Sequence, residues 1–195
     1  MVTSPRGIAL VDVLAAVGIS LVMAGVAVPV IGGTLEREHT VVGTQYLSAQ
    51  VQRARLESLK RAAAVAVRLE VLDVRTSVQL FSDGNGNGVL QKDIDRHVDA
   101  ALTMAEWLDD HARGVTLQIN QPIANLGGGP DLAAGDDPLR IGNSSLVSFS
   151  PLGSATSGTL YVAARQGPQM AIRIYGATGR VRVLMFDAQA RQWRP

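Results

Sequence analysis

Residues Gly7 to Gly33, GIALVDVLAAVGISLVMAGVAVPVIGG, form an almost wholly apolar run that carries a single carboxylate, Asp12. About two dozen apolar residues are enough for a helix to cross the hydrocarbon core of a bilayer. The stretch is therefore expected to insert into a membrane, with the remaining chain folding on one side of it. Three other origins fit less well. A cleaved secretory signal has a shorter apolar region, about 7–15 residues, with its small-residue junction behind it, whereas here the small residue, Gly7, stands in front. A buried helix of a soluble domain rarely stays apolar on every face over such a length. A plain single-span anchor leaves Asp12 unexplained, because a carboxylate within a membrane is costly and ordinarily has a partner.

Of the 195 residues, roughly 160 remain after this segment, which suits one globular domain with a helical stem. The net charge of +1 predicts no strong overall field, but its distribution is uneven. Residues 83–137 hold ten acids against three bases, while 161–195 hold six Arg and one Asp. The chain has no Cys, which removes disulfides, thiolate metal sites and thiol nucleophiles from consideration.

Beyond the apolar run, residues 34–61 place Leu35, Val42, Tyr46, Val51, Ala54 and Leu59 at helical spacings with Arg and Glu between them, predicting an amphipathic continuation of the helix. From Ala62 the period changes to alternation. Val65, Val67 and Leu69, then Val74, Val78 and Leu80, predict a hairpin turning near Leu72 and Asp73, its apolar face packed on the helix. Residues 96–114 read as a short helix with Ala101, Met104, Ala105 and Leu108 on one face, and 115–120 as a strand. The Gly/Pro/Asp-rich stretch 121–139 reads as an exposed loop. Strands follow at 145–150, 159–164, 170–175 and 180–186. The expected fold class is α+β, a long N-terminal helix packed on antiparallel sheets.

The loop SDGNGNGVLQKDID, 82–95, follows the first part of an EF-hand-type calcium loop. Asp83, Asn85 and Asn87 alternate, the Val89 carbonyl follows, and Gly88 stands at the sharp turn. The twelfth position, which should be a bidentate acid, is Ile94, flanked by Asp93 and Asp95. Asn-Gly and Asp-Gly pairs also make turns without any metal, so a solvated turn and a calcium site stand as alternatives. His39 reads as a surface histidine, and Asp109, Asp110 and His111 as a charged helix end. Ser148, Ser150, Ser154 and Ser157 lie in no G-x-S-x-G elbow and have no strand-end His as base. No enzyme is expected.

The junction at Gly7, the apolar run and Asp12 together resemble the N-terminus of type IV pilins and type II secretion pseudopilins. The resemblance implies a leader, MVTSPRG, removed by prepilin peptidase between Gly7 and Ile8, with N-methylation of Ile8. It places Asp12 at the fifth mature position and Pro29 at the twenty-second, both used in assembly. Two departures are present: Ile8 stands where the family usually has Phe, and Asp12 where it usually has Glu. Ala54, Arg55, Glu57 and Ser58 at the helix end, then VSFSPLGSATSGTLYV at 147–162 and IRIYGATGRVRVLMFD at 172–187, resemble the GspH/FimT branch of minor pseudopilins. A pilin-like fold, an inner-membrane location with a periplasmic domain, and other pilin or pseudopilin subunits as partners are what the resemblance implies. The strand at 180–186 puts Arg180 and Arg182 on one face, with Arg191 and Arg194 nearby. Such a patch suits either an acidic neighbouring subunit or DNA, the latter making a DNA-uptake subunit the alternative function.

Overall fold

The computed structural model describes residues 5–73, 75–142 and 144–195, without the side-chain surroundings of 5–9 and 24–32. The side-chain surroundings of the expected cleavage positions Gly7 and Ile8 and of the assembly position Pro29, and Val74 of the hairpin altogether, fall outside what is described. The chain divides into two compact units, Met1–Leu35 and Glu36–Pro195.

The first helix, α1 (Pro5–Arg61), extends through both units. In the first unit every large apolar side chain from Leu10 to Met23 is at least 50 % exposed. Among the described residues no helix is long and apolar enough to cross a membrane. The expected span is itself described only in part, since 24–32 interrupt it.

In the second unit α1 is amphipathic, but its buried face differs in part from the one the spacing names: Val51 and Ala54 are buried and Tyr46 is half-buried, whereas Leu35, Val42 and Leu59 are exposed. Thr40, Gly43, Thr44, Leu47, Ser48, Val51, Ala54 and Ser58 recur every three or four residues and are buried. Most are small. A side chain at Gly43 would place its Cβ 2.9 Å from both Ala112 Cβ and Val115 Cγ1, so glycine there permits the helix to approach the sheet closely. The hydroxyls of Thr40 and Thr44 are satisfied within the helix, donating to the carbonyls of Glu36 and Thr40 at 2.7 Å each.

Two antiparallel sheets receive this face. The first contains β1 (Val65–Leu72), β2 (Arg75–Ser82), β3 (Ala100–Ala101), β4 (Glu106–Trp107) and β7 (Leu146–Phe149), in the order β3-β2-β1-β7 with β4 also on β2. The second contains β5 (Val115–Leu117), β6 (Leu139–Ile141), β8 (Gly158–Ala164), β9 (Met170–Tyr175), β10 (Arg180–Asp187) and β11 (Gln192–Arg194). Its order is β11-β10-β9-β8-β5, with β6 also on β8. Leu47, Val51 and Ala54 of α1 share one core with Val65, Val67 and Leu69 of β1, Val78 and Leu80 of β2, Phe149 of β7, and Leu160, Ile172 and Ile174 of the second sheet. The α+β class and the helix on antiparallel sheets follow the sequence expectation.

Several local expectations need correction. The β1–β2 hairpin turns at Asp73 as anticipated, with Leu72 opposite Arg75. Residues 96–114 do not form one helix. Ala100 and Ala101 pair with Ser82 and Phe81, while Glu106 and Trp107 pair with Val78 and Ser77. Only α3 (Leu108–His111) is helical, and Met104 is 85 % exposed rather than on a buried face. The free edge of β2 offers backbone partners to this segment, and sheet pairing overrides its helical spacing. A short helix, α2 (Gln91–Asp95), lies within the 82–95 loop. The 121–139 stretch is not wholly exposed: Ile123 and Leu132 bridge to each other and pack with Tyr161, Ala171, Phe186 and Trp193 in a second core. It is thus a cover over the outer face of the second sheet.

Because α1 joins both sheets through side chains of modest size, truncation there leaves a void that the sheets cannot close. Leu47→Ala is expected to lower unfolding free energy by about 2–5 kcal/mol. Leu56→Ala, on the exposed side of the same helix, should change it by less than about 0.5 kcal/mol. Urea unfolding of the full chain in neutral detergent checks both.

Candidate functional site

Asp12 is exposed on α1 and has no hydrogen-bond or ion-pair partner among the described residues. Around it, Leu10, Val11, Val13 and Leu14 are all exposed as well. A single chain therefore leaves both the carboxylate and its apolar surroundings without cover, and any partner for Asp12 comes from outside this unit's own described side chains.

The 82–95 loop closes on itself through Asp83. One oxygen of Asp83 accepts the N–H groups of Asn85 (3.0 Å) and Gly86 (2.8 Å), and the other accepts that of Gly88 (2.7 Å). Burial works against the Asp83 charge, but the N–H groups of Gly88, Asn85, Gly86 and Asn87 outweigh it and hold the carboxyl below its ordinary range. Asn85 accepts from Asn87 N–H at 3.2 Å, and Asn87 Nδ2 donates to the buried Asp93 at 3.1 Å. Val89 is buried against Ala66, Phe81 and Ile94. Asp95 is exposed and accepts from Gln91. Asp99, absent from the sequence-level candidates, proves central: nearly fully buried, it accepts the N–H of Gly84 with one oxygen and of Leu90 with the other, both at 3.0 Å. Among the described residues no group of three or more His, Asp or Glu side chains is placed to hold a metal ion.

Asp109, Asp110 and His111 stand at α3, as a charged helix end. Asp109 accepts the Gly114 N–H at 2.7 Å, and Asp110 pairs with Arg75 at 3.0 Å while the Arg75 guanidinium stacks over Trp107. The His111 ring stacks on Tyr46 with centroids 3.9 Å apart, and its Nε2 lies 3.4 Å from Glu106 Oε2, which also accepts from the Tyr46 hydroxyl. Burial, helped by this bond to Glu106, pushes the Tyr46 hydroxyl up to about 12. The neutral phenol therefore supports the fold below about pH 10, and that support fades as pH rises toward 12. His39 is half-buried on α1.

The four C-terminal arginines separate into two pairs. Arg191 is held by Asp131 at 2.6 Å and Arg194 by Asp187 at 2.9 Å, so their charges are compensated. Arg180 and Arg182 are exposed and have no carboxylate partner among the described residues. Strand register sets Arg182 opposite Arg173, and Arg180 opposite Tyr175. Arg173 in turn stands opposite Thr159, to whose hydroxyl it donates at 2.7 Å, and Thr159 stands opposite Arg140. Arg140, Arg173 and Arg182 thus form one row across four strands. Strand pairing, not chain order, assembles this row from positions 140, 173 and 182. Trp193 is half-buried between Tyr161 and Phe186 and donates to the Ala124 carbonyl at 2.7 Å.

Comparison with protein-family models, curated proteins and solved structures finds no match to this chain.

The loop yields a pH-dependent outcome. Because the folded Asp83 carboxyl lies below its unfolded value, near 3.9, its contribution is present above that value and is lost as pH falls through the folded one. Asp83→Asn is expected to destabilise most near neutral pH, with the difference from the parent chain shrinking below about pH 4. Unfolding midpoints of both chains across a pH series measure it.

Proposed function

We propose that the protein is a minor pseudopilin of the GspH/FimT type, a structural subunit of a type II secretion pseudopilus or type IV pilus assembly. The observation that carries this reading is the uncovered apolar face of α1 around Asp12. From Leu10 to Met23 the chain offers no cover to its own apolar side chains, and an isolated helix of that kind is stable only in lipid or against other helices. The small-residue junction ahead of the apolar run and the stem packed on antiparallel sheets agree with such a subunit.

On this reading prepilin peptidase removes Met1–Gly7, and the helix holds the subunit in the inner membrane with the second unit in the periplasm. The processed helix then joins those of other subunits. The Asp12 carboxylate pairs with the freed, methylated α-amino group of a neighbour's Ile8. Each group alone is a charge in an apolar medium, and pairing offsets the cost of both.

Mass spectrometry of the chain purified from a peptidase-bearing membrane is expected to show a mature N-terminus at Ile8 with one added methyl group. An intact Met1, or a cut after residue 29 or later, would remove the family assignment. Asp12→Ala is expected to be processed normally and to lose incorporation into the assembly, scored by cross-linking to neighbouring subunits. Incorporation at the parent level would count against the ion pair.

A further inference from the structure

The end of α1 and the β9–β10 hairpin enclose an open groove of about 680 Å³, lined by Arg55, Tyr175, Ala177, Thr178, Arg180 and Arg182. Three guanidiniums converge on it, and none has a carboxylate partner among the described residues. Arg55 spends one nitrogen on the Thr178 carbonyl, at 3.1 Å, while its Nε is buried without a hydrogen-bond partner. The close approach depends on Gly179 in the hairpin turn: at φ +58°, a Cβ there would lie 2.6 Å from the Gly153 carbonyl oxygen and 3.3 Å from Arg55 Nε. Arg182 also faces Arg173 directly across the strands, an arrangement of like charges that costs stability. By contrast, Arg68, Arg75 and Arg191 pair with Glu70, Asp110 and Asp131. Concentrated positive charge is left uncompensated here.

We propose that this groove binds the carboxylates of an acidic segment of a partner protein, with the Tyr175 ring and the arginine stems supplying an apolar wall for the residues between them. Guanidinium forks match carboxylates two bonds at a time. Two observations favour a protein segment over a nucleic acid. Duplex affinity grows with the number of phosphates neutralised, yet Arg191 and Arg194, which would lengthen the patch, are tied to Asp131 and Asp187. The one aromatic ring at the groove, Tyr175, is 40 % exposed beside Ala177 and Thr178, a mixed wall that suits peptide side chains. The inference depends only on the folded second unit and stands apart from the assembly reading.

Fluorescence anisotropy on the full chain in neutral detergent tests it, using a labelled glutamate-rich peptide with a central Phe and a labelled mixed-sequence DNA duplex as probes. The peptide is expected to bind and to be released by salt. Arg180→Gln with Arg182→Gln, and separately Arg55→Gln, should each weaken it by about tenfold or more. Arg191→Gln should leave it unchanged. Arg180→Lys with Arg182→Lys keeps the charge but loses the fork, and should fall between. Circular dichroism reports folding, and if the Gln variants unfold the Lys pair decides: affinity equal to the parent chain's overturns the fork. Failure of the peptide to bind, or equal binding by all variants, overturns the proposal. Tighter binding of the duplex through the same arginines assigns the groove to nucleic acid and overturns it as well.

Discussion

The second unit depends on the contact between one face of α1 and two sheets at once. Leu47, Val51 and Ala54 are fully buried, and strands from both sheets meet them in a single core. Small residues make this contact close, and Gly43 leaves no room even for a methyl group against Ala112 and Val115. Thr40, Thr44 and Ser58 on the same face are tolerated because helix carbonyls accept from their hydroxyls. Burial of this kind is felt by every strand, since interiors packed to near-crystalline density transmit rather than absorb a change in volume.

From that contact follows the placement of charge. The inner faces of β8, β9 and β10 supply the core, which forces alternate residues to the outer face. The 121–139 segment covers one part of that face with Ile123 and Leu132. The part left open carries Arg173, Tyr175, Arg180 and Arg182. Strand pairing then brings together cations from three strands and turns scattered sequence positions into a row with cross-strand repulsion, tempered by the Arg173–Thr159 bond. In the 82–95 loop the same economy is opposite in sign: carboxylates of Asp83 and Asp99 are neutralised by backbone N–H groups rather than by cations.

Much of the α+β plan was legible in the sequence because it rests on periodicity. The alternation after Ala62 and the Gly-bearing turns between the last strands reflect which face meets the core, whereas the helical spacing showed that the stem is a helix but misplaced Leu35, Val42 and Leu59, which are exposed. What failed beyond the stem was local and had one cause. Residues 100–107 have helical spacing, yet their backbone found the free edge of β2. The 121–139 stretch has loop composition, yet two of its apolar residues found the outer face of a sheet. Neither edge nor face exists until distant strands have paired.

The sequence by itself determined the apolar run with its lone Asp12, the amphipathic stem and the strand alternation, because these express the transfer free energy of side chains in chain order. Only the tertiary structure decided that Asp99 closes the acidic loop, that Arg191 and Arg194 are compensated while Arg180 and Arg182 are not, and that Arg55 meets them from the helix. Electrostatic partnership depends on distance in space, and Arg55 reaches Thr178 only after the core has drawn the helix end and the hairpin together.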